Sequence, residues 1–378
     1  MNTNPSHVIH LYVNMPEQKS FYPSVTEALR ALSAGGAAAI YDTADISALS
    51  QSDSDRIYPA PYSDMPRAII HIGPGIYREK LVVSRPNVSF CGEGNSPEDV
   101  VLVYDDGAFD ITPESDKRGT FRTATVRIAA QDFHAKNITF QNDAGPGYKA
   151  GQALALYVDG DRAVFENCRM IGSQDTIFTA PLPEQEFQPG GFKGPGEFKP
   201  RTMTRQYYKR CYIEGDVDFI FGSAVAYFEA CTIFSRARED LTSGTADAKH
   251  STDRQSTPAP IHGYITAASS PGSAKYGYVF KDCRLDSDCP KARVYLRRPW
   301  REFAKTVFLN CYLGDHIHPE GWHDWKKTHG HFYYGEYDSY GPGANPEGRV
   351  DYSHQLSEDD LAAYSPELVL DGWVPEFI

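Results

Sequence analysis

The chain has 378 residues, of which 41% are hydrophobic, and this length and composition suit one large hydrophobic core. Its net charge of −13 argues against nucleic acid as a partner, because phosphate binding needs a basic surface. No stretch approaches the roughly 18 apolar residues of a membrane span, so we expect no membrane partner either.

The cellular compartment is indicated by two weak signals. The segment from Met1 to His7 has neither the basic nor the apolar stretch of a secretory signal. The seven cysteines are odd in number, and five of them recur at one position of a repeated pattern, which favours buried free thiols over a disulfide framework. Both signals predict a cytoplasmic protein, or a secreted one if a leader has been removed.

The first predicted element is an amphipathic helix over 24–34. Ser24 and Glu27 form a capping-box pattern at its start, and Gly35 is the predicted stop. Such a helix would cover the open end of a stack of strands. An irregular excursion is predicted over 37–65, followed by strands within 67–83 and 123–140 and a loop over 142–147.

Two copies of one pattern follow, at 163–178 and 206–221. In each copy an aromatic residue stands three positions before a cysteine, a glycine follows the cysteine by four positions and an aspartate by seven. The matched residues are Phe165, Cys168, Gly172 and Asp175 in the first copy and Tyr208, Cys211, Gly215 and Asp218 in the second. If the copies are structural repeats in register, the two aspartates lie side by side.

The aromatic-to-cysteine spacing recurs three more times, at Phe228 and Cys231, at Phe280 and Cys283, and at Phe308 and Cys311. Short strand-prone segments at intervals of about 20 residues, without intervening helices, predict a solenoid. We therefore predict an all-β, right-handed parallel β-helix as a single domain over 1–378. A loop insertion over 181–201 would form a groove wall after Asp175, and a C-terminal helix over 357–364 would pack on the outside.

Neighbouring strands lie about 4.8 Å apart, so aspartates in register would bring two carboxyl groups together. Two such groups cannot both ionise cheaply, and one pKa rises while the other falls. Arg298, if it reaches Asp218, would hold that residue ionised. Asp218 is then the candidate nucleophile, and Asp175 the general acid and later the base.

Five sequence blocks carry a resemblance to a known family. In chain order they are Gly75-Ile-Tyr-Arg-Glu, Gln152-Ala-Leu-Ala-Leu, Gly172-Ser-Gln-Asp-Thr-Ile, Asp218-Phe-Ile-Phe-Gly and Leu296-Arg-Arg-Pro-Trp. Together they resemble the signature blocks of pectin methylesterases, carbohydrate esterase family 8, and the resemblance runs from about Ser24 to Trp373. One departure is Arg297, which stands where the family usually has glycine and puts the local backbone or groove shape in question.

The resemblance implies hydrolysis of methyl esters of galacturonate units, with release of methanol (EC 3.1.1.11 type). It assigns the same three roles to Asp218, Asp175 and Arg298, and it implies that Gln152 and Gln174 donate hydrogen bonds to the oxyanion. No cofactor and no metal are implied. The expected substrate is methyl-esterified galacturonan or oligogalacturonides, and a monomer is expected.

Aromatic side chains beside a sugar site can stack on the apolar faces of sugar rings, although each could equally be a core residue. Trp300 ranks first among the candidates for substrate contact, followed by Phe221, Phe178 and Trp322. Thr125, in a strand-like segment, is a further candidate.

The sequence leaves other functions open. The five histidines between His316 and His331 could bind zinc, although no His-Glu-x-x-His pattern is present and surface loop histidines are favoured. No Gly-x-Ser-x-Gly motif supplies a serine nucleophile. A pectate lyase or polygalacturonase on the same fold, an esterase or thioesterase with a non-pectin substrate, and a non-catalytic carbohydrate-binding solenoid are the alternatives.

Overall fold

The structure is a computed structural model that describes residues 8–18, 21–34, 65–114, 116–242 and 259–377. Gly35 and nearly all of the predicted excursion over 37–65 lie outside the described residues. Within the described part, short strands pair in parallel to form three long sheets, and each turn of the chain contributes to the sheets in succession. This is the predicted parallel β-helix.

The strands are numbered in chain order, and each sheet has its own order of neighbours. Across the first sheet this order is β2 (Phe21–Tyr22), β1 (Ile9–Val13), β3 (Ala68–Ile72), β6 (Val88–Gly92), β9 (His134–Lys136), β12 (Ala163–Glu166), β15 (Arg205–Lys209), β18 (Val225–Glu229), β21 (Tyr278–Lys281), β24 (Lys305–Leu309), β26 (Tyr333–Tyr337) and β27 (His354–Gln355). Across the second it is β25 (Tyr312–Leu313), β22 (Arg284–Ser287), β19 (Thr232–Ser235), β16 (Tyr212–Gly215), β13 (Arg169–Ile171), β10 (Thr139–Asn142), β7 (Val100–Tyr104) and β4 (Gly75–Arg78). Across the third it is β23 (Val294–Arg297), β20 (Gly263–Ala268), β17 (Val217–Gly222), β14 (Ile177–Thr179), β11 (Leu156–Val158), β8 (Val126–Ile128) and β5 (Leu81–Val83).

The repeated aromatic residues form a ladder inside the β-helix. Phe165, Tyr208, Phe228, Phe280 and Phe308 are partners on successive strands of the first sheet. Their rings stack with centroids 4.4 to 4.9 Å apart, close to the spacing of neighbouring strands. The five repeated cysteines are buried, and all seven cysteines are free thiols. The predicted register of the repeat is confirmed.

Helices lie near both ends of the chain. The first, α1 (Val25–Ala34), begins after Ser24, whose hydroxyl oxygen accepts a hydrogen bond from the Glu27 amide at 3.1 Å. Its Val25 and Leu29 side chains join the main core. The predicted C-terminal helix is instead a short helix, α4 (Glu358–Leu361), continued by a 3-10 turn and followed by α5 (Pro366–Val369).

The C-terminal segment packs on the outer face of the first sheet, as predicted. The Tyr276 hydroxyl donates to the Ala363 carbonyl at 2.7 Å, and the Tyr227 hydroxyl donates to the Tyr364 carbonyl at 3.1 Å. Two further helices are single turns, α2 (Gly147–Ala150) and α3 (Glu239–Thr242). No helix in the described part of the chain has the length and apolar character needed to cross a membrane.

The insertion over 181–201 contains no strand or helix in the described structure, yet it is held together by one arginine. The Arg201 guanidinium donates to the carbonyls of Pro183, Gly196 and Lys199 at 2.6 to 3.1 Å. The Lys199 ammonium group lies 2.6 Å from a carboxylate oxygen of Asp159, which is largely shielded from solvent. The Lys199 contact anchors the insertion to the β-helix wall at the end of β11.

Candidate active site

Asp175 and Asp218 occupy equivalent positions on neighbouring coils. Ile177 of β14 pairs with Ile220 of β17, and the Asp175 amide donates to the Val217 carbonyl at 3.0 Å. Both aspartates have positive φ, 63° and 52°, a conformation that Asp tolerates better than most residues. Their adjacent placement, predicted from the repeat, is confirmed.

Arg298, directly after β23, contacts only one of the two carboxyl groups. Its Nε lies 2.8 Å from Asp218 Oδ1, and its Nη2 lies 2.5 Å from Asp218 Oδ2, which is a bidentate ion pair. The guanidinium also lies over the rings of Tyr264 and Trp325, at 4.2 and 4.0 Å from their centroids. The predicted contact between Arg298 and Asp218 is confirmed.

Because Arg298 contacts only Asp218, the two carboxyl groups differ in pKa. Burial raises the pKa of Asp175 well above its ordinary value, and the negative charge of Asp218 raises it further. Burial also raises the pKa of Asp218, but the Arg298 cation opposes this effect. Asp218 therefore loses its proton first, and Asp175 keeps its proton to higher pH.

Two amide side chains share a cavity of about 310 Å³ with the carboxyl pair. Gln152 and Gln174 both line it, together with Asp175, Asp218 and Arg298. All five residues predicted to act in catalysis are thus brought together, and the cavity supplies uncharged donors beside two carboxyl groups.

Gly147 makes room for one of these amides, and sequence analysis missed it. A β-carbon at this position would lie 2.6 Å from Gln174 Oε1 and 2.7 Å from Gln174 Cβ. Only glycine therefore lets α2 approach the Gln174 side chain this closely. The sequence placed Gly147 at the end of a loop, and no local pattern connected that loop with Gln174.

Trp300 and Phe221 line the cavity, whereas three other predicted contacts are wrong because the side chains are completely buried. Trp322 stacks on Tyr334 in the core, with ring centroids 4.8 Å apart, and its indole N–H donates to Glu336. The Thr125 hydroxyl donates to the carbonyl of Gln141 at 2.8 Å. Phe178 supports the cavity wall from beneath, 4.9 Å from the rings of both Phe121 and Phe221.

The remaining aromatic lining comes from residues that the sequence analysis did not select: Phe121, Phe187, Phe192 and Trp325. Phe187 and Phe192 belong to the insertion over 181–201, which forms part of the cavity wall as expected. Trp325 stands in a polar segment next to Lys326 and Lys327, and this polar setting was a signal that favoured Trp325 over Trp322.

Arg297, which replaces the usual glycine, points away from the cavity. Its side chain is completely buried, with the guanidinium 4.6 Å from the centroid of the Tyr334 ring, and burial lowers its pKa to about 10. Successive side chains of a strand face opposite sides. An inward Arg297 is therefore compatible with an outward Arg298, and the substitution leaves the Asp218 contact intact.

The histidines between His316 and His331 do not converge on a metal site. His316 is buried, His329 Nε2 lies 3.0 Å from an Asp324 carboxylate oxygen, and His331 lies 3.6 Å from Glu302. Within this fully described segment, no three metal-ligand atoms come together. The zinc alternative therefore has no geometric support among these histidines.

A buried carboxyl pair, one arginine and two glutamines in an aromatic-lined cavity of a parallel β-helix fit the class of carboxylic ester hydrolases. The pectinesterase family model matches residues 41–188 and 201–372. The chain belongs to the pectinesterase family and is a carboxylic ester hydrolase of the EC 3.1.1.11 type.

Curated relatives and solved structures agree with this family. The chain is 34% identical over 310 residues to pectinesterase QRT1 of Arabidopsis thaliana, covering 80% of this chain and 70% of the relative. It is 33% identical over 322 residues to pectinesterase 31 of the same plant, covering 83% and 86%. A pectin methylesterase solved with a hexasaccharide superposes with a TM-score of 0.69 at 25% identity, covering 97% and 98%. PemA of Erwinia chrysanthemi gives 0.68 at 25% identity, covering 98% of each chain.

Proposed function

We propose that Asp218 is the nucleophile in the hydrolysis of galacturonate methyl esters, with Asp175 as acid and base. The observation that carries this assignment is the bidentate contact of Arg298 with Asp218 alone. Because the cation favours ionisation of Asp218, this carboxylate is the one available for attack, while Asp175 retains a proton to donate.

The proposed cycle follows from these protonation states. A carboxylate oxygen of Asp218 attacks the ester carbonyl carbon, and the amides of Gln152 and Gln174 stabilise the oxyanion. The carbon–oxygen bond to methanol then breaks as Asp175 donates its proton to the leaving oxygen, which produces an acyl-enzyme. Asp175, now ionised, removes a proton from water, which attacks the acyl carbon and releases the free carboxylate and Asp218.

The proposed substrate is methyl-esterified galacturonan or oligogalacturonides. A related pectin methylesterase has been solved with a hexasaccharide. Although the chain is acidic overall, Arg301 lines the cavity and its guanidinium lies 3.8 Å from the centroid of the Phe187 ring. An aromatic and cationic wall suits sugar rings that carry carboxyl groups. The monomeric state and the cytoplasmic location stay predictions.

The test is methanol release from highly methylated pectin, with and without EDTA, by the wild type and Asp218→Ala. We expect EDTA-resistant release by the wild type and none by the variant, with far-UV circular dichroism showing that the variant folds. Release that EDTA abolishes would contradict the mechanism. No methanol from pectin or methylated oligomers would instead favour another ester or thioester as substrate.

Direct attack by Asp218 can be separated from activation of water. Methyl and ethyl esters of the same acid form the same acyl-enzyme. An added alcohol competes with water for this intermediate, so the ratio of transferred ester to free acid should be the same for both substrates. A ratio that changes with the leaving group would contradict a common acyl-enzyme and favour direct attack by water.

A further inference from the structure

Metal-binding side chains cluster on the early coils of the β-helix. His71 on β3 and Cys91 on β6 are direct partners in register, and Glu93 follows β6. A ring nitrogen of His71, the Cys91 sulfur and a Glu93 carboxylate oxygen all lie within 4.8 Å of one another. None of these residues lines the cavity that contains Asp218, so the cluster is separate from the esterase site.

Neighbouring side chains orient the His71 ring. Its Nδ1 lies 2.5 Å from Glu93 Oε1, and its Nε2 lies 2.9 Å from Nδ1 of His10 on β1. The Tyr12 ring stacks on it with centroids 4.9 Å apart. A histidine that offers one nitrogen to a ligand site, while the other is held by a hydrogen bond, has the arrangement common to metal-binding histidines.

We propose that His71, Cys91 and Glu93 bind one zinc-type divalent ion, with His10 as the hydrogen-bond partner that orients His71. A thiolate, an imidazole and a carboxylate form a ligand set suited to zinc, whereas calcium and magnesium prefer oxygen ligands throughout. Water would complete the four-coordinate site.

An ion would need the three ligand atoms, now within 4.8 Å of one another, to adopt a regular spacing. Ligand atoms of a tetrahedral zinc site lie about 3.4 Å apart, given metal–ligand distances near 2.1 Å. The ion would separate the hydrogen-bonded His71 and Glu93 atoms and draw the Cys91 sulfur toward them. The His71 and Glu93 side chains are 19% and 34% exposed, so an ion has access from solvent.

A bound ion would link β3 and β6 and, through His10, β1. These strands belong to the end of the β-helix against which α1 packs. The competing explanation is a hydrogen-bonded group of His10, His71 and Glu93 that binds no metal. In that metal-free group the Cys91 thiol is a hydrogen-bond partner of Glu93 and produces no thiolate-to-metal absorption, so the two explanations can be distinguished at the sulfur.

The experiment is a cobalt titration of the metal-stripped, full-length protein. We expect a near-ultraviolet thiolate-to-cobalt absorption band that saturates at one equivalent and is displaced by zinc. Cys91→Ser should lose this band. Cys289→Ser, which changes another partly buried free cysteine, should keep it. His10→Ala should weaken zinc binding about 10- to 100-fold, as expected for an outer-shell partner.

Two results would overturn the proposal: no saturable cobalt or zinc binding by the wild type, or an unchanged absorption band in Cys91→Ser. If Cys91→Ser does not fold, as judged by circular dichroism, Glu93→Gln provides the test at a partly exposed position. We expect Glu93→Gln to reduce zinc affinity at least tenfold in calorimetry, and an unchanged affinity would contradict the site.

Discussion

Replacing Arg298 by glutamine tests the electrostatic basis of the active site. The Arg298 and Asp218 side chains are only 18% and 11% exposed, and the guanidinium makes a bidentate contact with the carboxylate. Removing one partner of such a buried pair leaves the other charge uncompensated. We expect Arg298→Gln to lower the free energy of unfolding by about 3–5 kcal/mol at neutral pH.

The same change should alter the pH dependence of methanol release. Burial raises the pKa of Asp218 and Arg298 opposes this, so the pKa rises further when Arg298 is removed. Because Asp218 must be ionised to attack, the acidic limb of kcat/KM should move to higher pH. Arg301→Gln is the control for the position of this limb: the contacts described for Arg301 are aromatic rings and backbone carbonyls, so the variant should weaken substrate binding without moving the acidic limb.

A double-mutant cycle with Asp218→Asn provides the decisive stability measurement. Urea unfolding of the wild type, the two single variants and the double variant should give a coupling of about 1–3 kcal/mol between the positions. Additive effects within about 0.5 kcal/mol, together with an unmoved acidic limb in Arg298→Gln, would refute the reasoning.

Three further predictions concern an oxyanion donor, a buried acid next to the site and an aromatic residue of the cavity. Gln174→Ala should lower kcat about 10²- to 10³-fold, measured as methanol release, because an oxyanion donor is lost; an unchanged kcat would contradict this role. Burial raises the pKa of Asp216 to about 6 in the folded protein. Because the unfolded chain ionises this residue near pH 4, the free energy of unfolding falls as pH rises from about 4 to about 6. Asp216→Asn should therefore be more stable than the wild type by about 3 kcal/mol at pH 7 and about equal to it below pH 4, and urea unfolding at both pH values checks this. Trp300→Ala should raise KM about tenfold with little change in kcat, because an apolar contact made equally in the ground state and the transition state is lost. Steady-state kinetics that show a lower kcat at unchanged KM would contradict this role.

The sequence predicted the adjacency of the candidate carboxyl pair correctly because the two copies of the repeat have the same internal spacing. Equal spacing from Phe165 and Tyr208 to the two aspartates means that pairing one residue aligns all the others. The same reasoning predicted the buried thiols. It selected Trp322 instead of Trp325, because the two are only three positions apart and the polar neighbours of Trp325 are a weak signal beside the packing that decides their burial.

The sequence by itself determined the stacking of coils, the adjacency of Asp175 and Asp218, and the interior ladder of rings and thiols. These features depend on local spacing and on the alternation of side chains along strands. Only the tertiary structure decided what surrounds the carboxyl pair. Arg298 lies 80 residues beyond Asp218, and Trp325 and the 181–201 insertion also reach the cavity from other parts of the chain. The sequence predicted Arg298 and the insertion as parts of the site, but their contacts and the place of Trp325 depend on how loops pack across several coils.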